Sequence, residues 1–142
     1  MEANVFVFGN DEAISRRLAA MLRQEGYAVR YFPCVSHLEQ ASLQTPPDLL
    51  ILNAVKNGSV PVSMSDLAKA AAASLAPILV LASSDGLEEV MLALGERPAE
   101  YYTNPVLHYD LAAKVRALIG APGANGYASS LHAPPEDRMK LW

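Results

Sequence analysis

The sequence predicts an α/β domain in which five parallel strands alternate with five helices, followed by a short tail. Three observations carry this reading. Val5-Phe6-Val7-Phe8, Leu49-Leu50-Ile51-Leu52 and Ile78-Leu79-Val80-Leu81 are continuous apolar runs without polar alternation. Runs of this kind suit strands covered on both faces, as in a parallel sheet. Stretches with helical spacing of apolar residues lie between the strand segments, and Gly, Pro, Asn, Asp and Ser punctuate the junctions.

The elements follow in order. Gly9-Asn10-Asp11 ends the first run, and the Asp11 carboxylate is placed to cap a helix. Ile14, Leu18, Met21 and Leu22 then recur at helical spacing until Gly26, a natural stop. Tyr27 to Tyr31 reads as a short strand. Ser36 is the expected cap of a second helix through about Gln44, broken by Pro46-Pro47. The second apolar run ends at Asn53, and Ala54 to Met64, with Asn57-Gly58 and Pro61, reads as a loop. Ser65 is the expected cap of an alanine-rich third helix, Asp66 to Ser74. That composition is good helix-forming sequence, and it also offers a surface of small side chains. Pro77 leads the third run, and Ala82 to Gly86 is a polar turn. Leu87, Val90, Met91 and Leu94 mark a fourth helix whose apolar residues are mainly core. A short strand near Glu100-Tyr101-Tyr102 and a last helix from about Leu107 to Ile119 complete the series. Alternating strands and helices with right-handed crossovers restrict the winding. The expected architecture is a flavodoxin-like three-layer sandwich with strand order 2-1-3-4-5 and helices on both faces.

Residues 1–119 thus form the domain, and 120–142 a linker and tail. Gly120 to Gly126 is linker-like in content, and Pro134 to Trp142 has the charge polarity of a short helix. Met139 and Trp142, three residues apart, could dock that segment on a partner. A disordered end accounts for the same residues.

Composition excludes several classes. The net charge is −4, and the best basic group, Arg16, Arg17 and Arg23, reads as a solvated helix face rather than a nucleic-acid site. Cys34 is the only cysteine, so no disulfide can close within the chain. No apolar run approaches the ~20 residues of a membrane span, and no signal peptide is visible, so a cytoplasmic location is expected. His37, His108 and His132 lack metal-ligand spacing, and neither a nucleophile elbow nor a phosphate-cradling glycine loop is present. No cofactor and no enzymatic activity are expected.

Several segments resemble the receiver domain of bacterial response regulators, from about Ala3 to Ile119. Glu25-Gly26-Tyr27-Ala28-Val29 looks like the family's first junction. Pro47-Asp48-Leu49-Leu50-Ile51-Leu52 looks like its third strand, and Pro77-Ile78-Leu79-Val80-Leu81 like its fourth. Glu100-Tyr101-Tyr102-Thr103-Asn104-Pro105 looks like its fifth strand and the proline turn, whose peptide bond is cis in the family. In receivers, an acidic pair after the first strand and an aspartate ending the third hold Mg²⁺, and that aspartate takes a phosphoryl group. A Ser or Thr after the fourth strand and a lysine after the fifth contact the phosphoryl oxygens.

On the resemblance, every one of these positions is altered. The acidic pair falls on Gly9 and Asn10, with Asp11 adjacent; the acceptor falls on Asn53. The hydroxyl position falls on Ala82, with Ser83 next, and the lysine on Asn104. An amide is a poor nucleophile toward phosphorus, and neutral ligands hold Mg²⁺ far more weakly than carboxylates. Both signs of charge are missing together, so Asn10, Asn53, Ser83 and Asn104 are expected to satisfy one another by hydrogen bonds. Tyr101 falls on the family's switch aromatic, and with Ala82 in the hydroxyl slot its coupling should be broken.

The expected protein is therefore a phosphorylation-independent pseudo-receiver that signals through a protein partner or a homodimer. The expected surface is the fourth helix–fifth strand–fifth helix face. Two alternatives stay open: a small-molecule sensor using the neutral pocket, and a regulatory module of a longer transcription-factor or signalling protein.

Overall fold

The computed structural model describes residues 3–9, 11–55, 63–103 and 108–120. Among them the chain forms β1 (Asn4–Gly9), α1 (Glu12–Gln24), β2 (Ala28–Phe32), α2 (Val35–Gln44) and β3 (Leu49–Ala54). These are followed by α3 (Met64–Ala72), β4 (Ile78–Ala82), α4 (Leu87–Leu94), β5 (Glu100–Thr103) and α5 (His108–Ile119). The strands make one parallel sheet in the order β2-β1-β3-β4-β5, the flavodoxin-like order that the alternation implied.

The pleat divides the apolar runs between two cores. Val5, Val7, Leu49, Ile51, Leu79 and Leu81 face α1 and α5. Phe6, Phe8, Leu50, Leu52, Ile78 and Val80 face α2, α3 and α4. Side chains of successive residues point to opposite faces, so only a run without polar members can fill both layers. All four residues Leu49 to Leu52 are at most 1% exposed. Burial of each such side chain stabilises the fold by about 1.5–3 kcal/mol, which makes β3 the spine of the sheet.

The junctions show why the elements stop where they do. Asp11 caps α1 as expected, its Oδ1 accepting from the Ile14 N–H at 3.0 Å. Gly26 adopts φ +102° after α1, a conformation that a side chain would strain. The expected caps of α2 and α3 need correction. Cys34 occupies the α2 cap without a side-chain capping bond, its thiol instead pairing with the Ser36 hydroxyl at 3.0 Å, and Ser36 lies inside the first turn. Ser63, not Ser65, caps α3, its hydroxyl accepting from the Asp66 N–H. Both helices begin earlier than their serines suggest because Val35 and Met64 pack against the α2–α3–α4 core. β3 also runs on to Ala54, which pairs with Ala82, so the expected loop starts later than Ala54.

Arg97 closes the connection from α3 to β4. Its Nη1 donates to the Ala71 carbonyl (2.6 Å) and the Ser74 carbonyl (2.9 Å), and its Nη2 to that of Ala76 (2.6 Å). Carbonyls at a helix C-terminus have no intrahelical partner, and a guanidinium fork satisfies several together. At the opposite end, the Tyr27 hydroxyl donates to the Gly120 carbonyl at 2.8 Å and ties the end of α5 to the start of β2. Leu107, the expected start of the last helix, the Asn104–Pro105 bond and residues 121–142 lie outside the described residues.

Candidate functional site

Parallel strands bring their carboxyl ends to one edge of the sheet, where α/β folds place their sites. The register sets Gly9 beside Asn53, and aligns Ala54 with Ala82 and Ala82 with Thr103. Of the residues singled out from sequence, Gly9, Asp11, Asn53, Ala82, Ser83 and Tyr101 are described; Asn10 and Asn104 are not.

Asn53 lies within β3 and is 1% exposed. Its Nδ2 donates to the Ser15 hydroxyl at 2.9 Å, and its Oδ1 accepts from the Val55 N–H at 3.3 Å. Ser15 is itself fully buried on α1. The amide thus has both of its ends engaged by this chain, and it brings no charge of its own into the low-dielectric interior. Beside it the Tyr31 hydroxyl donates to the Gly9 carbonyl at 2.9 Å. Burial pushes the Tyr31 phenol up from its ordinary value, a shift partly offset by its hydrogen bond with Ser15.

The partners of Asn53 are thus not the expected ones: Ser15, which sequence reading missed, and the Val55 N–H hold it, while Asn10 and Asn104 lie outside the described residues. The sequence did carry a signal for Ser15. It stands three residues before Leu18 and seven before Leu22, on the apolar stripe of α1, where a hydroxyl needs a buried partner. Its partner lies 38 positions away, and nothing local names it.

Steric and electronic features at this edge oppose a metal–phosphoryl site. A Cβ added at Gly9 would stand 2.6 Å from the Asn53 carbonyl oxygen and 2.8 Å from the Asn53 Cβ. An acidic side chain at Gly9 therefore requires the strands to move apart. Asp11 is buried and its carboxylate caps α1. Mg²⁺ needs oxygen donors, typically with one or two carboxylates. An Asn53 amide turned to Ser15 and a capping Asp11 do not fit that requirement. Among the described residues, no three His, Cys, Asp or Glu side chains gather as a metal site.

The other expected elements divide. Ala82 is fully buried at the end of β4, and Ser83 follows it half-buried. Tyr101 is half-buried against the α2–α3–α4 core, and that burial raises its phenol pKa. On α4, Val90 and Leu94 are core, but Met91 is 47% exposed and Leu92 77%. Met91 is thus the exposed member of a set expected to be mainly core: the helix is apolar around more of its circumference than its packing covers. Tyr102 packs partly on the α1–α5 core, and Lys114 of α5 pairs with Glu100 of β5 at 3.1 Å.

No protein-family model matches the sequence, and no curated protein matches it either. Solved structures do. NtrX from Brucella abortus superposes with a TM-score of 0.68 at 18% identity, over 84% of this chain and 27% of that one. A response regulator receiver domain protein from Clostridium thermocellum gives 0.65 at 19% identity, over 82% of this chain and 94% of that one. A response regulator receiver protein from Burkholderia phymatum gives 0.62 at 23% identity, over 87% and 99%. The chain thus has the fold of response-regulator receiver domains, and it spans about a quarter of the NtrX chain it matches.

Proposed function

We propose that this chain is a pseudo-receiver, a signal-transduction module that works through protein contacts without being phosphorylated. One observation carries the reading: the residue at the acceptor position is a buried amide whose two ends are held by Ser15 and Val55. The aligned solved structures support the receiver fold, and the local chemistry argues against phosphoryl transfer. An amide nitrogen that donates to Ser15 has no electron pair to offer phosphorus.

The test is incubation with Mg²⁺ and acetyl phosphate, or with beryllofluoride. The expected outcome is an unchanged mass and unchanged amide resonances around Asn53, for the native chain and for Asn53→Asp. A phosphoryl adduct on the native chain would overturn the proposal.

The partner surface in this reading is the α4–β5–α5 face. Met91 and Leu92 supply exposed apolar side chains on α4, and the Lys114–Glu100 pair supplies polar groups on α5 and β5. A protein partner or a second copy would meet it in the cytoplasm. Leu92→Asp should abolish self-association in sedimentation if the partner is a second copy. The 27% coverage of NtrX supports a second reading, in which this fold is a regulatory module of a longer chain. Among the described residues, no helix is long and apolar enough to cross a membrane.

A further inference from the structure

At the edge of the sheet opposite β5, between β2 and α2, lies an open groove of about 310 Å³. Arg30, Tyr31, Phe32, His37, Gln40 and Gln44 line much of it, and no acidic side chain does. The Arg30 guanidinium lies 5.0 Å from the Phe32 ring centroid and 5.7 Å from that of Phe6. Among the described residues, no carboxylate pairs with it. Leu43, one turn along α2 from Gln40, stands 85% exposed next to this groove. The groove therefore combines a cation held on aromatic rings, polar side chains along one wall and an apolar neighbour.

We propose that the groove receives the chain's own C-terminal segment, with Pro134-Pro135-Glu136-Asp137 against Arg30 and the aromatic rings, and Met139 and Trp142 against Leu43. Three observations favour this occupant. First, the Tyr27–Gly120 hydrogen bond roots the segment at the start of β2, the strand that borders the groove. β2 is only about 16 Å long, and the stretch from 121 to 135 reaches about 50 Å when extended. Second, the charges are complementary: the sequence has adjacent acids at 136 and 137, and Arg30 has no acidic partner among the described residues. Third, prolines lose little freedom on docking and pack on aromatic-lined grooves. Rooting at Gly120 makes the association intramolecular, so weak contacts suffice. Such docking would cover the β2 edge and leave the α4–β5–α5 face open.

Trp142 is the only tryptophan, so its fluorescence reports the segment alone. The experiment compares acrylamide quenching of Trp142 in the full chain and in a free 121–142 peptide. The full chain should be quenched at least two-fold less, independently of protein concentration. Arg30→Glu should raise quenching toward the peptide value, and Glu136→Lys with Asp137→Lys should do the same without touching the folded domain. Combining Arg30→Glu with Glu136→Arg and Asp137→Arg should restore protection. Quenching equal to that of the peptide would overturn the proposal. Protection that survives the charge reversals would too, as would protection that grows with protein concentration, which marks a second copy as the occupant.

Discussion

Replacing Ser15 with alanine should destabilise the domain while leaving its surface unchanged. The hydroxyl accepts from Asn53 Nδ2 at 2.9 Å, and both residues are buried to within 1%. Without it the amide N–H keeps its desolvation cost and loses its partner, which costs about 1–3 kcal/mol. Alanine returns a few tenths of a kcal/mol through its better helix propensity. The net loss is thus about 1–2 kcal/mol, or roughly 3–8 °C in Tm for a domain of this size. Urea unfolding followed by far-UV circular dichroism is the assay, and the midpoint should fall with the m-value unchanged. A cycle with Asn53→Ala should give a coupling of about 0.5 kcal/mol or more, since the two residues share one bond. A loss below about 0.5 kcal/mol for Ser15→Ala, with additive double-mutant behaviour, would refute the argument that this bond closes the site.

Other perturbations read different parts of the fold. Gly9→Ala forces a Cβ toward the Asn53 carbonyl, 2.6 Å away, and should cost about 1–3 kcal/mol in urea unfolding; Gly9→Asp should cost more. Arg97→Ala removes three bonds from one guanidinium to carbonyls and should lower stability by about 1.5–3 kcal/mol, with Arg97→Lys recovering only part of it in the same assay. Tyr27→Phe loses the bond to Gly120, about 0.5–1.5 kcal/mol at neutral pH. Burial raises the Tyr27 phenol above its ordinary value of 10.0, so the native chain is fully stabilised below pH 10. That contribution is lost as pH rises through the folded-state value, because the unfolded chain releases its proton first. Tyr27→Phe should therefore show a shallower alkaline decline, read from unfolding midpoints across an alkaline pH series.

Much of the fold was legible before any coordinates, for identifiable reasons. Leu49-Leu50-Ile51-Leu52 admits no polar position, and only a strand covered on both faces tolerates that. Asp11 caps α1 because cap and helix are local, within three residues of each other. Ser36 and Ser65 misled for the opposite reason: packing of Val35 and Met64 against the core starts each helix one residue before its serine, so each serine becomes the second residue of its helix and the cap falls on Cys34 or Ser63. Spacing puts Met91 with Leu87, Val90 and Leu94 on a face that is mainly core, but spacing states which residues share a face and not which of them the packing leaves exposed.

At the site, the sequence alone states that the residues which the receiver resemblance aligns with the acceptor and hydroxyl positions are an amide, Asn53, and an alanine, Ala82. Local pattern and composition also determined an α/β domain with a parallel sheet. The tertiary structure decided what holds the amide, because Ser15 meets Asn53, 38 residues away in sequence, only when α1 packs on the sheet over β1 and β2. It also decided that Gly9 leaves no room for the acid that the resemblance would place there, since that limit is a distance between neighbouring strands. Charge and periodicity are written residue by residue; the closeness of two strands, and the choice of a distant partner, arise only from packing.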